Sequence, residues 1–257
     1  MSPPAWRLAA WVVYDHVGGL VVANLLWTLA SLPWLAVAAV LVAAGWAAGG
    51  MWVAVGCLLA AQWALLSPPT LALCLAASDW LRCRPVPARR VARVTWSLAL
   101  SAQGAGLLCC LATAVLAVNV SFYTSMGGWL GLVLAGLAIW GALLVGTVSL
   151  SVLPLLALHG GGLRAALQRS LRWLVLRPRT AASLMAATLV VLGLGLVSGV
   201  GLACGLLAAW AVWSTAIVAG SLGWPGGAPP PDLARRGLAD LLRPWAGDRR
   251  SGGSWHS

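Results

Sequence analysis

Residues 94–163 contain no Asp, Glu, Lys or Arg, and neither do residues 16–78 or 180–231. A water-soluble domain cannot cover its surface with so little charge. These runs exceed the roughly 20 apolar residues that one helix needs to cross a bilayer. They lack the ~10-residue alternation of a membrane β-barrel. The chain therefore reads as all-α, a polytopic transmembrane helix bundle. Its composition agrees: 61% of the 257 residues are hydrophobic and 8% are charged.

The few charges are unevenly spread. All 16 basic side chains are arginine, and the five acids are Asp15, Asp79, Asp232, Asp240 and Asp248, for a net charge of +11. The arginines fall in four places: Arg7, residues 82–93, residues 164–179 and residues 235–250. Arginines set between apolar runs orient a membrane protein and meet anionic lipid, so nucleic acid is not an expected partner.

Six spans satisfy this pattern. The first covers residues 18–47, kinked near Pro33, and the second covers residues 51–77 and includes "SPPT" at 67–70. The third and fourth cover residues 94–118 and 128–158. Residues 181–222 would make one helix of roughly 60 Å at 1.5 Å per residue, so two spans meeting near "GVG" at 199–201 fit better. All four arginine places then share one side. The opposite connections, "AGG" at 48–50, "NVSFYTSMG" at 119–127 and "GVG", carry no charge. The positive-inside rule places both termini in the cytoplasm of a multi-pass inner-membrane protein. The first apolar run would serve as an uncleaved anchor.

Residues 1–225 form the transmembrane domain in this reading, and residues 226–257 a basic tail. Residues 163–176 are amphipathic: Leu163, Leu167, Leu171 and Leu174 share one face, and Arg164, Gln168 and Arg172 another. Residues 229–245 suggest a second short amphipathic helix, capped by Asp232, before a disordered end. Arg164, Arg169 and Arg172 are the candidate contacts to lipid headgroups or to a membrane or cytoplasmic partner protein.

Chemistry inside a membrane needs polar groups there, and they are costly enough to mark function. No arginine or aspartate lies near the middle of a span. Asn24, Gln62 and Gln103 are the larger polar side chains within the spans, candidates for interhelical hydrogen bonds or for contacts to a solute. The six cysteines show no metal-ligand or disulfide spacing. "HGGG" at 159–162 lacks the G-x-S-x-G elbow that gives such a run catalytic meaning. No catalytic residue, metal site or cofactor is expected, and the chain reads as a non-enzyme.

Three segments carry a resemblance. "YDHVGGLVVANLLWTLASLPW" at 14–34 resembles the first helix of the YesL-like family, bacterial membrane proteins grouped as a domain of unknown function. The match runs in order through Gly19, Asn24, Leu25, Leu26, Trp27, Ser31, Leu32 and Pro33. "SPPTLALCLAASDWLRCR" at 67–84 is similar to the family's Gly-Pro-Ala segment and the helix leading to a basic loop. "LRAALQRSLRWLVLRPRT" at 163–180 is similar to its second cytoplasmic segment, through Arg177, Pro178 and Thr180. The apolar residues 34–66 between the first two segments depart from the family's spacing. The resemblance implies an accessory or scaffold component associated with carbohydrate uptake. The residues themselves leave open a transporter or channel subunit for a small uncharged solute, with Asn24, Gln62 and Gln103 at a midplane site.

Overall fold

A computed structural model describes residues 5–198 and 205–222. Among these residues every regular element is a helix: α1 (Ala5–Asp15), α2 (Val17–Ala30), α3 (Leu32–Ala48), α4 (Met51–Leu65), α5 (Pro68–Trp80), α6 (Ala88–Met126), α7 (Gly128–His159), α8 (Leu163–Leu176), α9 (Pro178–Ser198) and α10 (Leu206–Leu222). The "GVG" turn and the tail from residue 223 lie outside the described residues.

Two helices, α6 with 39 residues and α7 with 32, are long and apolar enough to cross a membrane singly. Three bent pairs reach that length together: α1 with α2 at 87°, α4 with α5 at 54°, and α8 with α9 at 107°. The remaining two, α3 and α10, are apolar helices of 17 residues each, the short end of what spans a bilayer. This is a helical membrane protein. Large apolar side chains such as Leu100, Leu132 and Trp140 face outward, as a lipid-facing surface requires and a water-facing one does not.

Proline sets two of the helix boundaries inside the apolar runs. In the first run, Pro33 has no N–H to give the carbonyl of Leu29, four residues back. The helix ends at Ser31, and α3 restarts at Leu32 with the proline in its first turn. The expected kinked span is thus two helices. In the second run, Pro68 and Pro69 cannot donate to Ala64 and Leu65. Ser67 takes an extended conformation and α5 begins at a new angle.

Helix α3 pairs with α4, and α6 with α7, as antiparallel hairpins turning at Gly49–Gly50 and Gly127–Gly128. The first pairing is close because it is glycine against glycine: the Cα atoms of Gly45 and Gly56 face each other across the hairpin, each where a Cβ would stand 3.1 Å away. Helices α5 and α10 form the centre, and α1 lies against α10. Leu71, Cys74 and Ala77 of α5 and Ala211, Val212 and Ala216 of α10 are fully buried there.

One expected loop is helix. Residues 119–126 continue α6, because their polar side chains bond back into it: Thr124 donates to the Val120 carbonyl at 2.8 Å and Ser125 to that of Phe122 at 2.7 Å. At the other end, Arg89, Arg90 and Arg93 begin α6 rather than closing a loop.

Candidate functional site

The cross-linked, arginine-bearing end of the bundle is built from several helix termini. Asp79, at the end of α5, is 4% exposed and pairs with Arg90 of α6 at 3.2 Å. The Asp79 carbonyl also accepts from the backbone N–H groups of Arg82 and Arg84, which closes the turn after α5. His16, at the α1–α2 bend, stacks on Trp80 with centroids 5.7 Å apart. Ala5 of α1 meets Gly220 of α10. The described arginines thus gather at one end, and the Gly49–Gly50 and Gly127–Gly128 turns occupy the other.

Helix α8 is clamped to that end. Its buried stripe is Ala166, Ser170 and Trp173, flanked by Leu163, Leu167 and Leu174. Ser170 shares a hydrogen bond with Ser151 of α7, and Trp173 Nε1 donates to Ser221 Oγ of α10 at 2.6 Å. The leucine face expected from the sequence is rotated as a result, and Leu171 is exposed. The three candidate arginines divide. Arg169 turns inward and donates to the Gly160 carbonyl at 2.9 Å, satisfying the end of α7. Arg164 and Arg172 are exposed.

The three candidate polar residues occupy three different places. Asn24 is fully buried on α2. Gln103 of α6 accepts from Trp34 Nε1 of α3 at 2.6 Å, which ties the two hairpins together. Gln62 of α4 lies 5% exposed in the wall of a cavity of about 330 Å³ between α4, α6, α7 and α9. Neither Asn24 nor Gln103 lines that cavity.

The cavity wall is apolar apart from Gln62, Thr113, Ser149 and Thr188. Thr188 is occupied, accepting from Trp210 Nε1 at 2.9 Å while donating to the Leu184 carbonyl. Ser149 is occupied too: its hydroxyl donates to the Val145 carbonyl at 2.7 Å and lies 3.3 Å from Gln62 Nε2. Gln62 Oε1 and Thr113 Oγ1 are buried without a hydrogen-bond partner. Nothing in the sequence singles out Thr113, because a single threonine in an apolar helix ordinarily bonds its own backbone.

A further buried polar site joins two segments of the sequence. Trp27 Nε1 of α2 donates to Thr70 Oγ1 of α5 at 2.9 Å. The hydroxyls of Ser67 and Thr70 lie 2.7 and 3.2 Å from the Ala64 carbonyl, the acceptor that Pro68 leaves without its helical donor. Gly106 of α6 passes over this break, where a Cβ would stand 2.8 Å from the Leu66 carbonyl.

Among the described residues, no three of His, Cys, Asp and Glu gather at metal-binding distance. Compared with known proteins, the chain matches no family model, no curated protein and no solved structure.

Proposed function

We propose that this chain is a non-enzymatic, six-span inner-membrane protein of the YesL-like type that serves as an accessory or scaffold component of carbohydrate uptake. Its working surface in this reading is the outward face of α8, offered to an acidic patch on a partner at the cytoplasmic side. One observation carries the proposal: Ser170 and Trp173 hydrogen-bond α8 to α7 and α10, and Arg169 caps the end of α7, while Arg164 and Arg172 stay exposed. A helix that only floated in the headgroup layer would need no such polar clamps. The YesL-like resemblance supplies the link to sugar uptake, and its first two segments meet through Trp27 and Thr70.

The transporter alternative finds less support, because Asn24, Gln62 and Gln103 do not converge on one midplane site. The test is chemical cross-linking in native membranes followed by affinity purification. The native chain should recover a sugar-uptake component, and the Arg164→Gln/Arg172→Gln double variant should recover several-fold less at equal expression. Equal recovery by the two forms, or recovery of no such component, would sink the proposal.

A further inference from the structure

We propose that a cavity at the arginine-bearing end of the bundle seats the headgroup of one monoanionic phospholipid, a phosphodiester of the phosphatidylglycerol class. The cavity, about 160 Å³, lies where the end of α5 and the turn after it meet the start of α6 and the end of α7. Asp79 organises it. The Asp79 carboxylate holds Arg90 at 3.2 Å, and the Asp79 backbone carbonyl accepts from the Arg82 N–H at 3.1 Å. Both arginines are thereby tied to one residue, and both line the cavity.

The hydrogen-bonding capacity of these arginines is mostly unspent. Arg90 gives Asp79 only its Nη1, and its side chain is 55% exposed. Arg82 is half-buried, and among the described residues its guanidinium has no hydrogen bond or ion pair. A guanidinium presents five N–H donors in a fork that matches phosphate oxygens. Charge then sets the valence of the ligand. Two guanidinium groups face one carboxylate in the wall, and a phosphodiester, with its single negative charge, balances the remainder. The carbonyl end of α7, which would repel an anion, has internal donors: Leu156 accepts from the Gly160 N–H at 2.8 Å, and Gly160 from Arg169 at 2.9 Å.

The position points to a lipid rather than to a free anion. Leu75, Val91, Val94, Ala157 and Leu158 form the rest of the wall, an apolar side that inorganic phosphate would leave unused. On α6, Trp96 and Leu100 are 85% and 88% exposed, toward lipid. Arg90 precedes Trp96 by six residues, about 9 Å along a helix, which sets it at headgroup depth. The volume of about 160 Å³ equals roughly five water volumes of ~30 Å³. That admits a phosphate and the atoms beside it, while the acyl chains stay in the bilayer. An ethanolamine headgroup would add an ammonium, and the acid in this wall, Asp79, is 4% exposed and already paired.

The experiment is native mass spectrometry of the full chain, delipidated in detergent. It is titrated with phosphatidylglycerol, phosphatidylethanolamine and phosphatidylcholine of identical acyl chains. The first phosphatidylglycerol should bind about tenfold more tightly than either zwitterionic lipid, the worth of one charge-assisted phosphate contact. Glycerophosphoglycerol, the same headgroup without acyl chains, should not displace it.

Arg82→Gln should abolish the preference for phosphatidylglycerol, and it keeps the Asp79–Arg90 pair and the backbone bond at position 82. Arg179→Gln removes an exposed arginine that does not line the cavity and should leave the preference intact. Equal binding of the three lipids, displacement by glycerophosphoglycerol, a preference that survives Arg82→Gln, or an equal loss in Arg179→Gln would each overturn the proposal. The comparison of lipids on the native chain decides even where a variant fails to fold. The cavity shares no residue with α8, so its failure would leave the docking face of α8 untouched.

Discussion

The hydroxyl of Thr70 stands where two demands meet. Trp27 brings an indole N–H into the core, which Thr70 accepts, and Pro68 strips the Ala64 carbonyl of its helical donor, which leaves it to the hydroxyls of Ser67 and Thr70. In hydrocarbon no water replaces a lost partner. Thr70→Val keeps the shape and removes the oxygen, so it should destabilise the fold by about 1–2 kcal/mol. Thr70→Ser should recover most of that loss. Unfolding in mixed detergent micelles, followed by tryptophan fluorescence, measures both, and a Thr70→Val protein as stable as the native chain would refute the role. At this scale the sequence displayed the polar residues but not their partners. Gln103 stood out as a polar side chain in an apolar run, yet Trp34, its donor, lies 69 positions away. Thr113 looked ordinary, and only the path of α4 and α7 around it makes its hydroxyl conspicuous.

The elements were legible where local chemistry decides and obscure where tertiary packing does. Pro33, Pro68 and Pro178 stand in the first turns of α3, α5 and α9; the sequence shows the prolines, but it suggests a kink at Pro33 and one continuous span through Pro68, where the structure starts new helices. The 87° bend at His16 has no proline or glycine at the break itself. It follows from the burial of Leu8, Trp11 and Val12 of α1 against the bundle and the stacking of His16 on Trp80. The rotation of α8 has the same origin. Four leucines suggested the buried face, but Ser170 and Trp173 have hydrogen-bond partners inside and Leu171 does not. Packing also sets the α3–α4 hairpin, through glycine rather than through large side chains. A methyl on Gly56 would come 2.7 Å from the Leu41 carbonyl, whereas one on Gly136 meets nothing within 4 Å. Gly56→Ala should therefore lower thermal stability in detergent. Gly136→Ala should leave it unchanged or raise it by about 0.5–1 kcal/mol, through helix propensity. Similar behaviour of the two variants would mean that the close approach does not hold the hairpin.

At the scale of the whole molecule, one asymmetry governs: arginine at one end of the bundle and uncharged glycine turns at the other. Helix α6 is about 58 Å long at 1.5 Å per residue, nearly twice the ~30 Å hydrocarbon core. It must therefore project well beyond the hydrocarbon core. Its first turns carry Arg89, Arg90 and Arg93 and its last carry no charged residue, so a projecting arginine end meets anionic headgroups at low cost. Sidedness follows from the cost of translocating clustered arginines, which favours keeping that end in the cytoplasm. The orientation is tested by fusing a reporter enzyme that is active only outside the cytoplasm at three places: after Met126, after Arg177 and after Trp245. The first fusion should be active and the other two silent, with a cytoplasmic fluorescent reporter giving the opposite pattern. Activity after Trp245 with silence after Arg177 would mean that residues 181–222 cross once, leaving five spans and an exported tail. Activity after Arg177 would overturn the orientation itself, and with it the cytoplasmic docking face of α8.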